Sequence, residues 1–244
     1  MDTRGTMAMM DDSFGCNWRP GARVEPEKKP VTGRRSFFRR GAAAAASAVA
    51  ATVAGRVVFA DGKGHLPTLY PGENNREFEA IQAHENAHVA FLVNALGADA
   101  RPRPSFINLV QPNVESFAHT ARALENTGVG AYLGAAPIIH NSGYLAAAGS
   151  ILTVEARHAG YLNVLLDLIM TENVFGANQN FETPLTQNQV VDLAGPFVTS
   201  LNGGPPLAFS MTPSAENDID ILNFALALEY LEAEFYNVNV PRFT

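Results

Sequence analysis

The chain has 244 residues, six histidines, one cysteine and a formal net charge of −7. Residues 1–60 hold 10 of the Lys and Arg and 5 of the Asp and Glu, so the rest carries 7 basic and 19 acidic side chains, a net −12. Such an acidic body argues against nucleic acid or an anionic membrane surface as partner. With its only cysteine at Cys16, it also has no disulfide and no thiolate metal ligand.

Residues 1–60 read as an export leader. Gly33-Arg34-Arg35-Ser36-Phe37-Phe38-Arg39 is similar to a twin-arginine signal, with Gly33 where Ser or Thr is usual. An Ala-rich, uncharged run follows from Gly41 to Gly55, and Val53-Ala54 and Val58-Phe59-Ala60 are candidate cleavage sites. Arg56 interrupts the run before it reaches the roughly 20 apolar residues a membrane span needs. Export by the twin-arginine route is therefore expected, to the periplasm or another extracytoplasmic space. Residues 61–244 would form one domain that is not a membrane protein.

Residues 61–73 are rich in Gly and Pro. A helical pattern runs from about 74 to 96, with Phe78, Ile81, Glu85, His88, Leu92 and Ala95 on one face. Gly97 is placed to end it. A connection with Pro102, Pro104 and Pro112 leads to a second helix, about 113–139, striped by Val114, Ala118, Ala121, Glu125, Gly128, Tyr132, Ala135 and Ile139. Ala121 and Gly128 leave room beside Glu125 for a neighbouring helix, and Pro137 should kink or end this one. The third helix, about 144–170, carries Leu145, Ala148, Ile151, Glu155, His158, Leu162, Leu165 and Ile169. Residues 172–213 are rich in Asn, Gly, Pro and Thr, with a short helix expected at 187–193; a connection this long needs a reason. The fourth helix, about 214–237, is capped more clearly by Asp218 than by Ser214 and presents Ile219, Leu222, Leu226, Glu229, Glu232 and Tyr236. No sustained strand alternation occurs, so the fold class is an all-α bundle.

The lone acidic residues on these apolar stripes point to chemistry. Glu85 is the only Asp, Glu, Lys or Arg between Ala80 and Ala98, and Glu125 the only one between Ala123 and Val154. A buried carboxylate without a partner is strongly unfavourable. Glu85 with His88, and Glu155 with His158, are Glu-x-x-His pairs, one turn apart on one helix face. Two such pairs, plus Glu125 and Glu229 from the other two helices, match the donor set of a carboxylate-bridged dimetal bundle. Four carboxylates and two neutral imidazoles balance two divalent ions. Glu and His donors suit iron, manganese or zinc.

Four segments carry a family resemblance. The stretch from Ile219 to Tyr236 is similar to the first helix of the ferritin-like family that includes desiccation-related and exported bacterial proteins. His84-Glu85-Asn86-Ala87-His88-Val89 resembles that family's second helix, the segment from Ala123 to Pro137 its third, and Val154-Glu155-Ala156-Arg157-His158-Ala159 its fourth. The resemblance implies a ferritin-like four-helix bundle binding two iron or manganese ions through Glu85, His88, Glu125, Glu155, His158 and Glu229. It also implies redox chemistry with O2 or peroxide, or protection against oxidative or desiccation stress. The chain departs in order: the family's first helix comes last. Circular permutation accounts for this, and the long connection 172–213 then spans the bundle. A truncated tandem array whose last helix swaps between chains of a homo-oligomer is the rival account.

Several readings stay open from sequence. Glu232 is an extra ligand, a carboxylate behind the ligands, or a solvated residue. Tyr132 and Tyr236, each seven residues after a ligand, are hydrogen-bond partners of ligands or ordinary core aromatics. His84 lies on another face from Glu85. His84-Glu85-Asn86-Ala87-His88 is also a literal HExxH, which in a zinc hydrolase would use both histidines as ligands. A non-catalytic protective or interaction bundle is the remaining alternative.

Overall fold

Four long helices carry the expected stripes. The computed structural model describes residues 72–244, so the expected leader lies outside the described residues. Helix α1 spans Glu73–Leu96 and ends at Gly97, whose positive φ of 57° is open to a residue without a Cβ. Helix α2 spans Val114–Ala135, with the Asn113 side chain accepting from Ser116 N. It ends four residues before the expected limit, where Pro137 turns the chain into a short 3-10 segment, Ala136–Ile138. Helix α3 spans Ser142–Leu165 and is capped by Asn141. It stops five residues early, so Ile169 is exposed, as is Leu145 in its first turn; the expected stripe is buried only between them.

The last long helix differs most from expectation. After the short helix α4, Gln187–Ala194, helix α5 runs over Ala215–Phe243, six residues past the expected end. Ser214, not Asp218, is its cap, accepting from Asn217 N. Asp218 is buried and instead accepts from the backbone N–H groups of His140 and Asn141, fastening the α2–α3 turn. Helix α5 is buried on most of its circumference, beyond the single inward side expected, and buries Asn217, Asp218, Asn223 and Asn239 as well as its apolar residues.

Helix α5 packs chiefly on α1, and α2 chiefly on α3. Buried or bridging asparagines fix the directions. Near the start of α5, Asn223 bonds Asp99 O and Arg101 N just beyond α1, while near its end Asn237 bonds Gln82 and Asn86. Likewise Asp218 meets the end of α2, and Asn239 bonds Leu109 O and Gln111 N before its start. Thus α5 is antiparallel to both α1 and α2. Arg122, early in α2, donates to Asn163, late in α3, so these two are also antiparallel. Helices α1 and α2 therefore run the same way, and the connection after α1 must travel back along the bundle. From Asn223 to Asn239 that distance is about 24 Å at 1.5 Å per residue.

The second long connection, after α3, does more than cross. Leu185 is buried in the core, and its N–H donates to Gly130 O at 2.9 Å. A Cβ on Gly130 would lie 2.4 Å from Leu185 Cγ, and one on Gly134 2.1 Å from Leu185 O. These two glycines thus let the connection lie on α2. The α4 residues Val190 and Ala194 join the core that contains Phe224, Leu228 and Leu231, covering the side of α5 that the other helices leave open. Two short strands absent from the sequence expectation, β1 (Ser105–Phe106) and β2 (Val198–Ser200), pair antiparallel and tie the two connections together. Among the described residues no helix is long and apolar enough to cross a membrane.

Candidate metal centre

The four long helices each turn a carboxylate into the middle of the bundle. Glu85 on α1, Glu125 on α2, Glu155 on α3 and Glu229 on α5 are all 0% exposed. His158 is buried, and His88 is 11% exposed. The side chains form two overlapping sets: Glu85, Glu125, Glu155 and His158, and Glu85, His88, Glu155 and Glu229. Within each set one donor atom per residue lies within 4.8 Å of all the others. Glu85 and Glu155 belong to both. Each set thus has one private carboxylate, one imidazole and two shared carboxylates.

The histidines face inward through the same ring atom. His158 Nδ1 lies 3.0 Å from Glu85 Oε1 and 3.1 Å from Glu125 Oε2. His88 Nδ1 lies 3.2 Å from Glu85 Oε2, 3.1 Å from Glu155 Oε1 and 3.3 Å from Glu229 Oε2. The two oxygens of Glu85 therefore divide between the sets. Burial works to lower both histidine pKa values, but the surrounding carboxylates prevail. Hydrogen bonding to Glu229 and Glu85 brings His88 up to about 10, and the charge and hydrogen bond of Glu125, with Glu85, bring His158 up to about 10. Burial works to raise Glu85, yet its bonds to both histidines hold it down at about 2. Burial pushes Glu229 up to about 7, and burial with the nearby carboxylates pushes Glu155 well above the usual range.

Two tyrosines and a third histidine hold the inner groups. Tyr132 on α2 donates to Glu229 Oε1 at 2.5 Å, and Tyr236 on α5 donates to Glu125 Oε1 at 2.5 Å. The two bonds cross reciprocally between α2 and α5, so both tyrosines partner buried carboxylates of the donor sets rather than merely filling core. His84 Nδ1 lies 2.9 Å from Nε2 of His158 with the rings stacked, on the side away from the carboxylates. His84 belongs to neither set, so the two histidines of HExxH do not converge on one ion. That is the pattern of a ligand imidazole oriented through its other nitrogen.

The buried Glu and His donors fit metal ions. A single proton on His88 Nδ1 cannot satisfy the three carboxylates around it, whereas a cation can. Glu155 Oε2 and Glu232 Oε2 are buried without any hydrogen-bond partner. Groups left so would cost several kcal/mol each if charged. Gly128 contributes space for carboxylate, not for helix backbone as its sequence position suggested: a Cβ there would sit 2.9 Å from Glu155 Oε2 and 3.4 Å from Glu232 Oε1. Glu232 itself is 3% exposed, which removes the solvated reading. Glu234, by contrast, is on the surface side and pairs with Arg103 at 2.6 Å.

Sequence reasoning missed the polar frame around this centre. Arg122 joins Asn163, Glu172 and the Asn173 carbonyl, and so fixes the chain leaving α3. Asparagines on helices carry no pattern that distinguishes a buried fastener from a surface residue.

The family model described as a ferritin-like domain matches residues 34–168 and 217–244. The first segment begins inside the expected leader, and residues 169–216, holding α4 and β2, lie between the two matched parts. No curated protein and no solved structure matches the chain. With most of its length matched, the chain belongs to the ferritin-like domain family.

Proposed function

We propose that this ferritin-like protein holds two iron or manganese ions and uses them in redox chemistry with O2 or peroxide. The observation that carries the reading is the pair of buried donor sets sharing Glu85 and Glu155. Glu125 and His158 would complete one position, and Glu229 and His88 the other. Two such ions, when bound, supply the electron transfer with oxidant that protein side chains alone do not. The chain's own part is to hold and shield them. Glu85 and Glu155 span both positions, Tyr132 and Tyr236 fix the private carboxylates through 2.5 Å bonds, and His84 orients His158. His88, the ligand with the greatest exposure, marks the α1 side as the approach for a small oxidant. The apolar packing elsewhere excludes water.

Three further parts of the reading rest on sequence. The leader would take the protein out of the cytoplasm by the twin-arginine route, which carries folded chains and so permits metal loading first. Helix α5 would be the family's first helix, moved by circular permutation; its packing beside α1 supports this. Protection against oxidative or desiccation stress would be the physiological role. The direct test adds Fe(II) anaerobically to metal-free protein and then admits O2 or peroxide. Stoichiometric, saturable oxidation that Glu155→Ala removes is expected. Metal binding with no reaction toward either oxidant would instead support the non-catalytic bundle.

A further inference from the structure

The two donor sets do not account for Glu232. It lies one turn beyond Glu229 on α5, 3% exposed, with Oε2 lacking any hydrogen-bond partner. No cationic side chain pairs with it among the described residues. Its Oε1 and Glu155 Oε2 approach the same point from α5 and α3, the point where a Cβ on Gly128 would otherwise stand, at 3.4 Å and 2.9 Å. Both carboxylates thus border a space that α2 leaves open by having glycine there. Two ionised carboxylates converge favourably when a cation lies between them or next to them.

We propose that Glu232 is a fifth carboxylate ligand of the centre, reaching from the Gly128 side an ion also held by Glu155. The inference rests on the dimetal reading and deepens it. The two positions are then unequal: one ion has a donor that the other lacks. Five carboxylates and two neutral imidazoles leave a net −1 around two divalent ions, so the position served by Glu232 is the one better suited to an ion of higher charge. A buried carboxyl that serves only as packing has none of these consequences.

Cobalt(II) titration of the metal-free full-length protein tests this, with affinity and the visible d–d spectrum as readouts. Wild type should bind two ions with distinct affinities. Glu232→Gln should still bind two, but with one affinity reduced about tenfold or more and that ion's spectrum changed. Glu232→Asp, which keeps the charge and shortens the reach, should show the same spectral change. The metal-free Glu232→Gln protein should melt higher than wild type, since an unpartnered buried carboxyl is gone. Identical affinities and spectra in all three proteins would overturn the proposal while leaving the dimetal reading intact. Failure of wild type to bind cobalt would overturn both.

Discussion

Glu155 and His84 separate two accounts of the same residues. Glu155 belongs to both donor sets, while His84 touches only the outer nitrogen of His158. Glu155→Ala should therefore abolish binding of two metals per chain, and His84→Ala should retain it, measured by elemental analysis after desalting. The reverse outcome would restore the zinc-hydrolase reading of HExxH. Proton linkage gives a second residue-scale prediction. In the metal-free fold His88 and His158 are raised to about 10 from 6.5, so their stabilising contribution is full below pH 6.5 and is lost as pH climbs through about 10. Glu229, raised to about 7 from 4.5, costs stability progressively as pH rises between those values, where the unfolded chain has ionised and the folded one still holds its proton. Glu85, held at about 2, loses its contribution only in strong acid. The metal-free melting temperature should accordingly fall from pH 5 to pH 9. Loading two metals at pH 7 should release at least two protons, one from each histidine, readable by calorimetry in buffers of different ionisation enthalpy. A flat metal-free profile with no proton release would contradict the inward-facing imidazoles.

At the scale of elements, α5 and the connection before it are the informative pieces. Gly134→Ala would drive a Cβ onto Leu185 O, against backbone that has no rotamer to yield. A loss of about 1–3 kcal/mol in denaturant unfolding is expected, with two-metal binding retained. Removing residues 214–244 takes away α5 and Glu229 together, exposing the apolar faces of α1 and α2. Both metals should be lost, and a truncated protein that stays folded with two ions would make α5 an appendage. The sequence made the inner stripes legible because Glu85, Glu125, Glu155 and Glu229 interrupt apolar runs at helical spacing. It hid the rest for physical reasons. Leu145 fits the period of α3 but lies where the bundle no longer covers it, and Ile169 continues the period past Leu165, where the helix has ended. The six extra residues of α5 continue through Pro241 in its last turn, which a rule about interior proline would have stopped. Glu232 could be placed on the right face but not at a depth, because period gives direction and not distance.

The described residues form a bundle in which two connections travel its length and are stitched together by β1 and β2. That arrangement leaves α1 parallel to α2 and lets four helices contribute to one interior centre. Replacing Arg34 and Arg35 together by Lys should trap the precursor in the cytoplasm, followed by fractionation; unchanged secretion would remove the twin-arginine proposal without touching the centre. The centre is tested most directly by anomalous diffraction from crystals of the iron- or manganese-loaded protein. Two peaks about 3.5–4 Å apart are predicted, one among Glu125, Glu85, Glu155 and His158, the other among Glu229, Glu85, Glu155 and His88. A single peak between His84 and His88, or none among the buried carboxylates, would contradict the account.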